Sequence, residues 1–410
     1  MGNFSFRGLR QTIKSWLTQN QNNSDNEEKS PFVEVSRALV NKLNRKIDNL
    51  SSPQGYQKGI RDELTQRIED WQNNLDGSNS LVVLGNPVEN IAQIISDSIS
   101  EWQNPLKLKI ITPFSLHQRP SPITNIKKEI KQAFKISADL TIKQPENQQE
   151  SEEKQEDLEQ RISLIIIPNL DQCFLRAIGG WESIIILRNI VVDNPHCFWL
   201  MGCNHWAWNF LDLVCQIKAY FGEGLPLPSL TGEELGHWLE DLAPTTIEAQ
   251  FWKNLNLSQD DSSNVSEEER RKTYWHDLAI ESQGVSSIAV SLWLQSLRLA
   301  KEVVENENIN DLNIENLDFR QVKPCLPMLP PLSSTERYLL HAVLIHGRIN
   351  RPHLALSLGE SESHIEAKIQ NLLRLGVLQK RLGALVVQPA YYEKVKNELA
   401  NNNFFVGELI

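Results

Sequence analysis

The stretch of greatest chemical promise is Leu81–Ala92, LVVLGNPVENIA. An apolar run ends at a glycine, turns through Asn-Pro and passes into an apolar helical pattern. In that layout, backbone N–H groups and a helix N-terminus can hold phosphate. In the GxxxxGK[ST] form of such a loop, a lysine reaches the terminal phosphates and a hydroxyl binds magnesium. Setting Gly85 on the first glycine, with Asn86 after it, puts Asn90 on the second glycine, Ile91 on the lysine and Ala92 on the hydroxyl. The context is kept while the lysine and the hydroxyl are gone.

The partner elements of a phosphate site follow the same course. SLIIIPNLDQCFLR stands where a strand would end in acids that hold magnesium and polarise water, yet those places are Pro168 and Asn169, with Asp171 past the strand end. FWLMGCN then ends a strand in Asn204, a polar residue where a phosphate sensor would sit. Each missing charge-assisted contact is worth roughly 1.5–3 kcal/mol, and phosphoryl transfer depends on such electrostatic positioning. The sequence therefore predicts no hydrolysis, no catalytic residue and no resident cofactor or metal. Weak ATP or ADP binding on surviving backbone amides is kept as an alternative.

The elements that must position these residues alternate. Strand-like runs LVVLG, LKLKIIT, SLIIIP and HCFWLMG are separated by helical stretches VENIAQIISDSISEW, ITNIKKEIKQAF, GWESIIILRNIVV and WAWNFLDLVCQIKAY. Continuous apolar strands between helices predict an α/β domain over 80–230 with a parallel sheet covered on both faces. Residues 32–79 read as two amphipathic helices, and 231–322 as a helical lid that includes TIEAQFWKNL and SIAVSLWLQSLRLAKEVV. A Pro-rich linker over 323–332 precedes the C-terminal unit, 333–410. That unit reads helix, helix, helix, hairpin, helix, the pattern of a winged helix-turn-helix. Ser363 and Glu366 suggest a capping box on its third helix.

In this order, the degenerate loop, degenerate acidic strand, sensor strand and helical lid resemble the AAA+/STAND branch of P-loop NTPases. The resemblance covers roughly Ser80–Leu399, and a winged helix after the lid is its usual continuation. It implies a P-loop NTPase-like core. Where such proteins often carry Gly-Asn-Pro-Arg in the lid, this chain has Gly284-Val285-Ser286-Ser287, so the phosphate-sensing arginine is also missing. The GxPVE-type loop is similar to that of a cyanobacterial protein group.

Bulk properties bound the function. The chain has 410 residues, 40% of them hydrophobic, and a net charge of -11, which argues against wholesale nucleic-acid binding. No apolar window has the length of a membrane span, and no signal-peptide pattern opens the sequence; a cytoplasmic location is expected. The five cysteines form no CxxC pair and read as reduced core thiols. Residues 4–19 form a basic amphipathic helix with Arg7, Arg10, Lys14 and Trp16, suited to an anionic membrane surface or a partner. With Phe6 in place of Ser or Thr, the Met-Gly start lacks a myristoylation signal. Residues 1–31 thus give this helix and a polar linker, and 143–160 form an acidic insert with seven acids against two lysines.

In the C-terminal unit, Arg348, Arg351, Lys380 and Arg381 are the candidate DNA contacts. From Ser333 to Leu399 nine basic and six acidic side chains leave a balance of +3, but Glu360, Glu362 and Glu366 crowd the presumed recognition helix. Trp199, Trp206 and Trp208 read as core. The expected function is a pseudo-ATPase acting as adaptor, scaffold or assembly factor for another protein. A DNA-binding regulator and a nucleotide switch without hydrolysis are the alternatives.

Overall fold

The continuous apolar runs become buried strands. The computed structural model describes residues 31–74, 77–104, 107–113, 119–138, 163–243, 245–247, 266–301 and 314–406. The basic helix with Arg7, Arg10, Lys14 and Trp16, and the acidic insert 143–160, lie outside them. The chain begins with β1 (Phe32–Glu34), α1 (Arg37–Asp48) and α2 (Gln54–Asn73), then enters β2 (Ser80–Gly85). It continues through α3 (Ile91–Ser100), β3 (Lys109–Ile111), α4 (Thr124–Ala138) and β4 (Ser163–Ile167). A 3-10 turn (Leu170–Cys173) leads to α5 (Glu182–Val192), β5 (Cys197–Asn204), α6 (His205–Cys215), α7 (Lys218–Phe221) and β6 (Leu225–Pro226).

These strands form one five-stranded parallel sheet in the order β3-β4-β5-β2-β6. Every residue of β2, β4 and β5 is buried, which explains their unbroken apolar character. β5 lies between β2 and β4, so the ends carrying Gly85, Asn204 and Pro168 are neighbours on one edge of the sheet.

The segment expected as a lid follows as α8 (Gly232–Leu239), β7 (Thr245–Ile247), α9 (Glu267–Ser282), α10 (Ser286–Ser296), β8 (Leu297–Ala300) and β9 (Phe319–Gln321). It is not wholly helical. β1, β8, β9 and β7 make a second sheet, in that order. The helix expected across 287–304 stops at Ser296 because Leu297 and Leu299 are buried while Arg298 between them is not, a period of two that pairs with β1 and β9. TIEAQFWKNL opens as strand β7 for the same reason: its backbone pairs with β9. Segment 32–79 is tied to the lid through β1.

The C-terminal unit has α11 (Ser334–His346), α12 (Arg351–Leu358), α13 (Glu362–Arg374), the hairpin β10 (Leu378–Arg381) and β11 (Ala384–Val387), and α14 (Tyr392–Asn401). Ile349 bridges Leu385. The expected box at Ser363 and Glu366 is replaced by Ser361, whose hydroxyl accepts the His364 N–H, because the helix starts two residues earlier. Among the described residues no helix is long and apolar enough to cross a membrane.

Candidate functional site: the loop and strand-end edge of the parallel sheet

Gly85 ends β2 under tight contact: a Cβ there would stand 2.6 Å from Ile91 Cγ1 and 3.2 Å from Leu227 Cδ1. Asn86–Glu89 form a turn closed by the Glu89 N–H on the Asn86 carbonyl at 2.9 Å. Asn90 precedes α3, and its carbonyl takes the N–H groups of Gln93 and Ile94. Ile91, in the lysine's place, is buried against the sheet; Ala92 is half-buried. The loop is held by packing at Gly85 and Ile91 and by the turn hydrogen bond.

The turn also holds a carboxyl group that belongs to no fixed position of the phosphate-loop motif. Glu89 Oε2 accepts the Asn86 N–H at 3.0 Å, and its Oε1 accepts the hydroxyls of Tyr56 at 2.7 Å and Ser286 at 3.1 Å. Burial raises its pKa above the usual carboxylate range, against these donors, which lower it. An acid in the turn between a buried strand and a helix was the one available signal in the sequence. Tyr56 and Ser286 carried none, being 33 and 197 residues away.

At the neighbouring strand ends, Pro168 follows β4, and its carbonyl would lie 2.4 Å from a Cβ at Gly202. Asn169 is buried and opens the 3-10 turn, its carbonyl accepting the Gln172 N–H at 3.1 Å. Asp171 is also buried; burial raises its pKa, and Oδ2 accepts from Gln172 Nε2 at 2.7 Å. Arg119 is buried beside it, donating to the carbonyls of Phe174 and, at 2.7 Å, Asp171. Burial lowers the guanidinium pKa to about 10.

Asn204 faces inward. Its Oδ1 accepts the Ala207 N–H at 2.8 Å and caps α6, while Nδ2 donates to the Ile345 carbonyl at 3.2 Å. Gln172 Nε2 donates to the His346 carbonyl at 3.1 Å. A helix end leaves its last carbonyls without partners and carries partial negative charge. Here the C-terminal end of α11 meets amide donors from Asn204 and Gln172, with Arg119 close by. Gly347 sits at the centre: a Cβ on it would be 3.4 Å from Asn204 Nδ2 and 3.5 Å from both Asp171 Oδ2 and the Pro87 carbonyl. Its φ of +61° suits glycine. The space among the β2 loop and the ends of β4 and β5 is filled by a helix end.

Beside the loop, a cavity of about 320 Å³ is lined by Gly85, Asn86 and Glu89, by Gln283–Val285, and by Tyr392, Glu393 and Lys396 of α14. His205 lies on its wall, with Nδ1 3.1 Å from the Gly85 carbonyl, and burial lowers its pKa to about 4. Gly284, in the lid segment, has φ +68°, and a Cβ there would stand 2.5 Å from the Leu230 nitrogen.

The other candidates are scattered. Trp199, Trp206 and Trp208 are core residues; the indole of Trp206 donates to Tyr392 Oη at 3.0 Å and that of Trp208 to the Glu223 carbonyl at 3.0 Å. Of the basic residues, Arg351 pairs with Glu366 at 3.2 Å and Arg381 with Asp48 at 3.1 Å. The Arg348 carbonyl lies 3.4 Å from Gln172 Nε2, and its charge acts on Asp171. Lys380 is exposed on the hairpin. Among the described residues no three His, Cys, Asp or Glu side chains group as metal ligands.

No family model and no curated protein matches this sequence. Similar solved structures include a Walker-type ATPase of Pyrococcus abyssi, at 12% identity and TM-score 0.33, covering 85% of this chain and 97% of that one. Cdc6p from Pyrobaculum aerophilum is similar at 13% identity and TM-score 0.33, covering 85% and 95%. The Aeropyrum pernix ORC2 protein, solved as ADPNP–ADP complexes, is similar at 13% identity and TM-score 0.35, covering 84% and 94%.

Proposed function

We propose that this chain is a non-catalytic, ATPase-like scaffold that acts by binding another protein. One observation carries the reading: the C-terminal end of α11 occupies the strand-end edge, with Gly347 among Pro87, Asp171 and Asn204. A polyphosphate with magnesium would have to displace that helix end and would meet neither lysine nor hydroxyl at Ile91 and Ala92. With the C-terminal unit fixed to the core, the molecule presents one continuous surface. Two apolar tips stand out on it: Ile178, fully exposed in the loop before α5, and Leu382, 73% exposed at the hairpin turn.

Thermal unfolding with millimolar ATP or ADP and magnesium tests the first half of the reading. A ligand at about a hundred times its Kd would add roughly 2.7 kcal/mol of stability. The expected result is no shift and no phosphate release. For the second half, affinity capture should return a stoichiometric protein partner, lost with Ile178→Asp or Leu382→Asp. A nucleotide-induced rise in melting temperature would overturn the scaffold reading.

A second reading rests on the 320 Å³ cavity, which lies at the small end of ligand-sized pockets. In it, a nucleotide without hydrolysis would bridge Gly85–Asn86 and the lid, and a bulky residue at Gly85 would abolish the shift. The winged-helix, DNA-binding reading requires Arg351 and Arg381 to exchange their surface pairs with Glu366 and Asp48 for phosphate. It predicts salt-dependent DNA affinity that falls on replacing Lys380 and Arg381.

A further inference from the structure

Glu89 joins three parts of the chain at one carboxyl group. The donors are the Asn86 N–H of its own loop at 3.0 Å, the Tyr56 hydroxyl of α2 at 2.7 Å, and the Ser286 hydroxyl at the start of α10 at 3.1 Å. Tyr56 Oη is itself held by the Ser286 N–H at 3.1 Å and lies 3.2 Å from the Gly284 carbonyl. The groups that favour the ionised form of Glu89 are all neutral donors. We infer that the Gly85–Asn90 loop is a carboxyl-binding site filled in cis: Glu89 is its built-in ligand, clasping α2 and the lid to the loop.

The hydrogen bonds close for either charge state. When Glu89 is ionised, the Tyr56 hydroxyl donates its hydrogen bond to it, and the Gly284 carbonyl keeps the Leu230 N–H at 2.9 Å. When Glu89 is neutral, its own proton turns to Tyr56 Oη, and the tyrosine proton turns to the Gly284 carbonyl. No group is orphaned in either arrangement, so the clasp holds on both sides of the titration. An unsatisfied buried group would be far more costly than any of these exchanges. In trans, the site would take a small monocarboxylate, since the three donors span two oxygens on one carbon. The inference does not depend on the scaffold reading: nucleotide binding in the adjacent cavity would leave it standing.

The test is the melting temperature of the full chain carrying Glu89→Ala, in sodium acetate and in sodium chloride of equal ionic strength. Removing the carboxyl should lower the melting temperature by roughly 4 °C or more. Tens of millimolar acetate should restore at least half of that loss in Glu89→Ala and leave the natural chain unchanged. A folded Glu89→Ala with no acetate-specific gain, or an equal gain in the natural chain, overturns the site. Should Glu89→Ala fail to fold, Tyr56→Phe with intact Glu89 is read by hydrogen exchange. The clasp predicts that amides of 86–90 and 284–291 exchange at least tenfold faster together; acceleration of one segment alone, or of neither, overturns it.

Discussion

The two halves of the strand edge are closed by different means. After β2, the closing group is Glu89, three residues from the Asn86 N–H it accepts. At the ends of β4 and β5, it is the end of α11, whose carbonyls lie 141 and 174 residues from the side chains that bind them. The first half turns a loop in on itself; the second recruits a distant unit. Local closure leaves a cavity beside it, whereas long-range closure fixes the C-terminal unit to the sheet.

The sharpest way to break this comparison is to add one carbon to each half. In Gly202→Ala the new Cβ faces the Pro168 carbonyl at 2.4 Å, and backbone cannot step aside. We expect a loss of about 3 kcal/mol or more. In Gly85→Ala the nearest atoms to the Cβ belong to the side chains of Ile91 and Leu227, which can shift, and about 1 kcal/mol is expected. Denaturant midpoints of both variants check this. Equal costs would show that the loop is as rigid as the strand ends.

Next in size is Asn204→Ala, which removes the cap of α6 and a donor to the end of α11. About 1 kcal/mol for the cap and a similar amount for the carbonyl give about 2 kcal/mol. Hydrogen exchange should rise at Gly347 and Arg348 while β2 stays protected. If only α6 loosens, the docking of α11 does not depend on Asn204.

Much of the architecture was legible. LVVLG, SLIIIP and HCFWLMG, each buried on both faces, announced the parallel sheet, and the C-terminal helices fell close to their apolar periods. The second sheet was not legible: β1, β7 and β9 have three residues each, too short for a period to show, and LRLA followed a helical run without a break. Within the site, Gly85, Ile91 and Ala92 could be placed from the motif frame because the loop is local. Tyr56, Gln172 and Gly347 could not, since tertiary packing alone brings them to the edge. Asn204 was found as a strand-end polar residue, but its partner, a helix carbonyl, leaves no mark in sequence.

The pH profile sets buried histidines against a buried carboxyl by sign. His205 and His341 stay neutral in the folded chain down to about pH 4, chiefly because burial disfavours the charged ring, whereas the unfolded chain protonates them below about 6.5. Between those values the unfolded state binds more protons, so stability falls as pH drops from 6.5 to 4, by up to about 1.4 kcal/mol per pH unit for each histidine. Glu89 acts oppositely: with its folded pKa raised by burial, it adds stability when protonated and loses it as pH rises. His341→Gln should therefore flatten the acid limb, and Glu89→Gln should steepen it. Denaturation midpoints between pH 4 and 8 provide the check.

The smallest expected effect concerns the contact between the hairpin and the N-terminal helical segment. Arg381 meets Asp48 at 3.1 Å, both side chains more than half exposed, so each keeps most of its water. Such a pair contributes little, and Arg381→Ala should change stability by less than about 0.5 kcal/mol. Lys380→Ala should do no more. Because neither change disturbs the fold, the pair gives a clean test of the hairpin's role: any DNA affinity that disappears with them, and weakens with salt in the natural chain, belongs to the hairpin itself. Absence of affinity in both would leave the hairpin tip, with Leu382 between its strands, as an apolar contact for a protein. A stability loss above about 1 kcal/mol would instead make the Asp48 contact a further point, besides the α11 closure, at which the C-terminal unit is held.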